Sequence, residues 1–149
     1  MVALQNLVVL ALSVVALAFP TPTTEASDLF KRAISGAAAG KCGNNAFTAT
    51  KVNEAASAAA SRVAQGSQGQ VGRNKYPHKF NNREGFKFLP GCSAPFYEFP
   101  ILQSKVYTGE NPGPDRVVIG SVNGADAAYC GLITHTGAGG NNFVQCDSA

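Results

Sequence analysis

The chain has 149 residues, 45% of them hydrophobic and 14% charged, with a formal net charge of +3 at pH 7. That length holds one small domain, and the mild basic excess favours a polyanionic partner bound in a salt-dependent way. Four cysteines and two histidines occur without C-x-x-C or His-rich spacing, which argues against a metal site; no metal and no other cofactor is expected.

The first segment reads as an address. Residues 7–19 form an apolar run that ends near Ala16-Leu17-Ala18, the pattern of a secretory signal peptide over residues 1–18. The run is shorter than the roughly 20 residues a membrane span needs. Residues 19–32 read as a propeptide. Residues 20–27 are rich in Pro and Thr, and Lys31-Arg32 follows as a dibasic processing site. The mature domain is then expected at residues 33–149 and outside the cell. Processing keeps the net charge at +3, because Lys31 and Arg32 leave together with Glu25 and Asp28. Cysteines in a small secreted domain pair, so two disulfides are expected, and sequence alone allows three pairings.

Residues 48–65 read as the main helix. Val52, Ala55, Ala56, Ala59 and Val63 recur at helical spacing, Thr48 or Thr50 can cap the start, and Gly66 can end it. A face of alanines can pack close to a sheet. Residues 66–72 form a Gly/Gln/Ser stretch. Beyond it come short β-prone runs at 76–80, 97–102, 116–119, 129–134 and 142–146, broken by Pro, Gly and Asn. Asn123-Gly124 is a hairpin signal between two of them. The expected class is α+β, with one α-helix packed on a twisted antiparallel β-sheet. Arg73, Lys75, Lys79, Arg83 and Lys87 gather half of the mature basic side chains into one stretch. A solvated edge strand is the plainer reading of that stretch.

Both histidines lie within that β region. His78 sits in a Tyr76-Pro77-His78-Lys79 segment and His135 in Thr134-His135-Thr136, with Glu98 and Arg116 between them. Two imidazoles, a carboxylate and a guanidinium can move protons near neutral pH and hold phosphate oxygens. Four blocks carry a resemblance: YPHKFNNREGF at 76–86, YEFPI at 97–101, GPDRVV at 113–118 and ITHTGAGGNNF at 133–143. In this order and spacing they resemble the signature blocks of the fungal guanyl-specific ribonucleases, the T-one type of microbial ribonuclease. The resemblance spans residues 42–146.

The resemblance implies a metal-free endoribonuclease that cleaves single-stranded RNA after guanosine through a 2′,3′-cyclic phosphate. It implies Glu98 as general base, His135 as general acid, His78 as the residue assisting the base, and Arg116 and Tyr76 as phosphate-stabilising groups. Phe143 would line the phosphate site. Asn81, Asn82, Arg83, Glu84 and Asn141 would form the guanine site, with Glu84 accepting from the ring N–H and the exocyclic amine. Arg83 departs from the family, which usually has a tyrosine there that stacks on the base; an arginine plane can also stack. The family pattern further implies disulfides Cys42–Cys146 and Cys92–Cys130. The expected partner is single-stranded RNA, with no membrane and a monomeric protein. The competing reading is a secreted ribotoxin-like or effector protein on the same fold, against which the short 86–96 segment speaks. For the single residues, Tyr76 and Phe143 as core aromatics, and Arg116 in a structural ion pair with Asp115 or Glu98, are the plainer alternatives.

Overall fold

In the computed structural model the described residues are 34–148. The expected signal peptide, propeptide and dibasic site lie outside them. The helix α1 spans Ala49–Ala64. Thr48 caps it from an extended backbone (φ −71°, ψ 158°), its hydroxyl accepting the Lys51 N–H at 3.2 Å. Such a cap contributes about 1 kcal/mol. The helix stops where Gly66 takes φ +64°, a left-handed conformation that glycine adopts without a Cβ penalty. A 3₁₀ turn, Gly66–Gly69, follows. The buried stripe of Val52, Ala55, Ala56, Ala59 and Ala60 is nearly all methyl groups, so the helix axis lies close over the sheet.

Among the described residues nine strands form two sheets. Strands β4 (His78–Phe80), β5 (Phe96–Pro100), β6 (Asp115–Asn123) and β7 (Asp126–Thr134) are antiparallel neighbours in that order. On the far edge β7 takes β8 (Val144–Gln145) antiparallel and β1 (Ile34–Ser35) parallel. The expected antiparallel sheet therefore carries one short parallel pair. A second sheet joins β2 (Gly40–Cys42) to β3 (Asn45–Phe47) and to β9 (Asp147–Ser148). These two- and three-residue strands are too short to carry an alternation, which is why no sequence pattern marks them.

The hairpin between β6 and β7 closes at Asn123↔Asp126, so the turn residues are Gly124 and Ala125. Gly124 has φ +59°. The Asn-Gly signal located the hairpin, but glycine stands at the first central position, as in a Gly-X turn. Within β7 the ladder slips: Val118 faces Gly131 and Ile119 faces Tyr129, leaving Cys130 as an extra residue in a bulge.

The main sheet buries both faces. Phe99, Val117, Ile119, Tyr129 and Leu132 pack with the helix stripe. On the other face Phe80, Val118, Cys130 and Ile133 form a smaller cluster, covered by Phe86, Phe88, Phe96 and Phe143. Two disulfides close the fold. Cys42–Cys146 ties β2 to the chain end, and Cys92–Cys130 ties the 86–96 segment to β7. With sequence separations of 104 and 38, each loop closure contributes about 4–5 kcal/mol in the chain-entropy model.

Candidate active site

Side chains two apart on a strand share a face, and opposite residues on adjacent strands lie side by side. The register pairs His78 with Glu98, and Glu98 with Val118. Arg116, two residues before Val118, faces Pro100 on one side and Ile133 on the other. His135, two residues past Ile133, lies just beyond the strand, its N–H donating to the Pro114 carbonyl at 3.0 Å. The sheet thus delivers all four groups to the face opposite the helix.

Glu98 is only 6% exposed and sits between two cations. Its Oε1 meets His78 Nε2 at 2.5 Å, and its Oε2 lies 3.6 Å from Arg116 Nε. Neither Oε2 nor Arg116 Nε has a hydrogen-bond partner among the described residues. The rest of the Arg116 guanidinium is engaged. It donates to the carbonyls of Gly113 (2.7 Å) and Asp115 (2.8 Å) and to the Tyr76 hydroxyl (3.0 Å). Its Cζ stands 5.1 Å from the centre of the Tyr76 ring. Tyr76 itself is buried, bridged to Val71 just outside β4, and stacks on His78 at 4.6 Å.

His78 Nδ1 is 3.1 Å from the Asn74 carbonyl. A carbonyl only accepts, so Nδ1 keeps its proton and the pair with Glu98 runs through Nε2. The hydrogen bond to Glu98 raises the His78 pKa above the ordinary 6.5, outweighing the opposing effect of burial. His78 therefore favours the imidazolium, donating to the carboxylate. This has a consequence for stability. A pKa raised by folding contributes stability that is fully present below the unfolded value and is lost as pH rises through the folded value. Unfolding free energy should fall with pH above about 6.5, and His78→Asn should flatten that fall. Urea titrations at stepped pH read this; an unchanged slope in the variant would place the linkage elsewhere.

His135 stacks on Phe143, ring centres 3.9 Å apart, and its Nδ1 donates to the Asn142 carbonyl at 2.8 Å. Nδ1 is thereby committed, and Nε2 is the nitrogen available for proton exchange.

Past the end of β4 the chain turns into an open pocket of about 350 Å³ lined by Phe80, Asn81, Asn82, Arg83, Glu84, Asn141, Asn142 and Phe143. Every residue expected at the base site lines it. Asn82, at φ +50°, uses its side chain on the loop itself, with Oδ1 accepting from Phe86 N–H (2.8 Å) and Nδ2 donating to Phe86 O (2.9 Å). Glu84 Oε1 accepts the Phe143 N–H across the pocket at 3.2 Å. Arg83 is exposed at the rim.

A model of the ribonuclease family matches residues 35–147. The chain belongs to the ribonuclease family. It is 53% identical over 106 residues to guanyl-specific ribonuclease Th1 of Trichoderma harzianum, covering 70% of this chain and 93% of that one. It is 48% identical over 106 residues to guanyl-specific ribonuclease T1 of Aspergillus oryzae, covering 70% and 75%. Extracellular guanyl-specific ribonuclease Fl1 of Gibberella baccata is 43% identical over 111 residues, covering 74% and 98%.

This ribonuclease also holds residues that the sequence did not single out. Asp115 is 2% exposed. It accepts from Thr134 Oγ1 at 2.7 Å and from Asn45 Nδ2 at 2.8 Å, and Thr134 Oγ1 in turn accepts the Thr136 N–H at 3.0 Å. The network clamps the strand end that carries His135. Asp115 meets Arg116 only through its backbone carbonyl, so the ion pair of Arg116 is with Glu98. Phe80 forms a wall of the ribonuclease's pocket; its place two residues after His78 on β4 was the available signal. Asn74, which orients His78, sits in a turn with no motif to mark it.

Proposed function

We propose that the protein is a secreted endoribonuclease that cleaves single-stranded RNA 3′ of guanosine by metal-free transphosphorylation. The observation that carries this reading is one sheet face that presents a carboxylate oxygen without a hydrogen bond, Glu98 Oε2, and an available imidazole nitrogen, His135 Nε2, together with the buried cation Arg116. RNA supplies its own nucleophile, the ribose 2′-OH. Glu98 takes that proton, the 2′ oxygen attacks phosphorus, and His135 Nε2 gives a proton to the departing 5′ oxygen. Arg116 and the His78 imidazolium face the charge that builds on the phosphoryl oxygens. Tyr76 fixes Arg116, and Phe143 shields the site from water. The product is a 2′,3′-cyclic phosphate, later hydrolysed to the 3′-phosphate.

Guanine selection follows from Glu84. A carboxylate opposite a ring N–H and an exocyclic amine is satisfied by guanine and left unpaired by adenine. Asn81, Asn141 and the Asn82-braced loop supply the remaining walls, and Arg83 covers the base or attracts the strand. Secretion rests on the apolar leader and on the extracellular relative; cleavage after Lys31-Arg32 would release residues 33–149 as a monomer.

Digestion of a defined RNA in chelator, with both ends mapped, tests the proposal. Cuts after G with cyclic phosphate ends are expected. Activity that needs magnesium, or equal cutting after all bases, would refute the mechanism or the recognition respectively. Arg83→Tyr restores the usual family residue. It should tighten guanine binding and lower the salt slope for long RNA by about one phosphate contact. Rates on GpN and on long RNA at two salt concentrations check both effects.

A further inference from the structure

One peptide group joins the two halves of this site. The carbonyl of the Asn142–Phe143 peptide accepts from His135 Nδ1 at 2.8 Å, and its N–H donates to Glu84 Oε1 at 3.2 Å. The same Phe143 presents the ring that stacks on His135 at 3.9 Å. Both contacts that orient His135 from this side hang on a segment that is otherwise exposed and follows Gly137, Gly139 and Gly140. Glu84 reaches it from a loop 59 residues away.

We infer that Glu84 is a positioning residue for His135, acting through the Asn142–Phe143 peptide, in addition to its part in base recognition. The inference rests on the reading of His135 as the general acid. A charged acceptor on an amide N–H strengthens the acceptor power of the same amide's carbonyl. Glu84 therefore both anchors the peptide and tightens the bond that fixes the His135 ring, with Nε2 directed to the leaving oxygen. Each carboxylate oxygen accepts more than one hydrogen bond, so Oε1 can hold Phe143 while the carboxylate still accepts from both donors of the base. A base that pairs with Glu84 holds the strut still. The correct base should thus raise kcat and not only lower KM.

Leaving-group chemistry separates this role from base binding. A cytidine 5′-oxygen needs a proton to depart, whereas 4-nitrophenolate leaves without one. Both can be attached to the same guanosine 3′-phosphate, so loss of base recognition affects them alike. Glu84→Ala should lower kcat on the cytidine ester at least about tenfold more than on the nitrophenyl ester. Glu84→Gln keeps an oxygen that can accept the Phe143 N–H, and it should recover most of that difference. His135→Ala sets the scale and should show the same bias. The Nδ1 proton of His135, followed by NMR, should be protected in wild type and in Glu84→Gln and should exchange rapidly in Glu84→Ala. Equal losses on the two esters, with His135→Ala still biased, would overturn the inference and leave the catalytic reading standing. An unbiased His135→Ala would overturn the acid assignment and the inference with it.

Discussion

Replacing His135 by alanine is expected to lower kcat/KM on a GpN dinucleotide by about 10²–10⁴-fold, and replacing Glu98 by alanine to lower it within the same range. The two losses have different physical origins. Without His135 the 5′ oxygen must leave as an alkoxide. Without Glu98 the 2′-OH keeps its proton, and His78 and Arg116 lose the carboxylate that lies between them. Buried Arg116 then lacks its counter-ion and His78 lacks the bond that holds its proton, so Glu98→Ala should also unfold more readily than wild type. Glu98→Gln separates these effects, since it keeps the shape and an acceptor for His78 while losing the base. Steady-state kinetics across pH should show each alanine variant missing one limb of the wild-type profile. Near wild-type turnover in either variant, with the fold intact by circular dichroism, would move the acid–base pair to other residues.

The largest expected loss of stability is at Asp115. Asp115→Ala removes two hydrogen bonds to a charged acceptor and leaves the Thr134 hydroxyl and the Asn45 amide without it. Bonds of this kind contribute about 1.5–3 kcal/mol each, and a buried group left unpaired adds to the loss. A destabilisation of about 3 kcal/mol or more is expected, and for a domain of this size that is a fall in Tm of roughly 10 °C or more. Asp115→Asn retains one oxygen for Thr134 and should lose less. Calorimetry on the three proteins decides. Asp115→Ala with a wild-type Tm would mean that Thr134 and Asn45 find other partners at no cost.

The candidate acid–base groups were legible because the chain is sparing with them. Only two histidines exist, and each stands in a distinctive block with Glu98 and Arg116 between them. The helix was legible because alanines recur at its spacing and Thr48 and Gly66 mark its ends within a residue. Asp115 was one of two ion-pair partners open to Arg116, and the pair is with Glu98. Next to Arg116 in sequence Asp115 suggests an ion pair, yet consecutive residues of a strand point to opposite faces. Its partners come from β3 and β7, which no local pattern connects to it. The use of the Asn82 side chain on its own loop, and the Glu84 bond to Phe143, are likewise matters of three-dimensional closure. The parallel pairing of β1 and the small sheet depend on two- and three-residue contacts that leave no periodic trace.

The bulge in β7 sets a rule for length. Cys130 and His135 are an odd number of positions apart, so on an unbroken strand they would point to opposite faces. The extra residue at Cys130 reverses the parity once, and the half-cystine and the histidine come to share the face away from the helix. Loss or gain of a single residue between them would send one of the two to the wrong side: either the bridge to Cys92 or the imidazole beside Phe143. The exposed tip at Gly124 is under no such constraint, because nothing lies within 4 Å of a Cβ built there. Insertions and deletions are therefore expected to survive at the hairpin tip and to be eliminated between Cys130 and His135, in steps that follow even and odd.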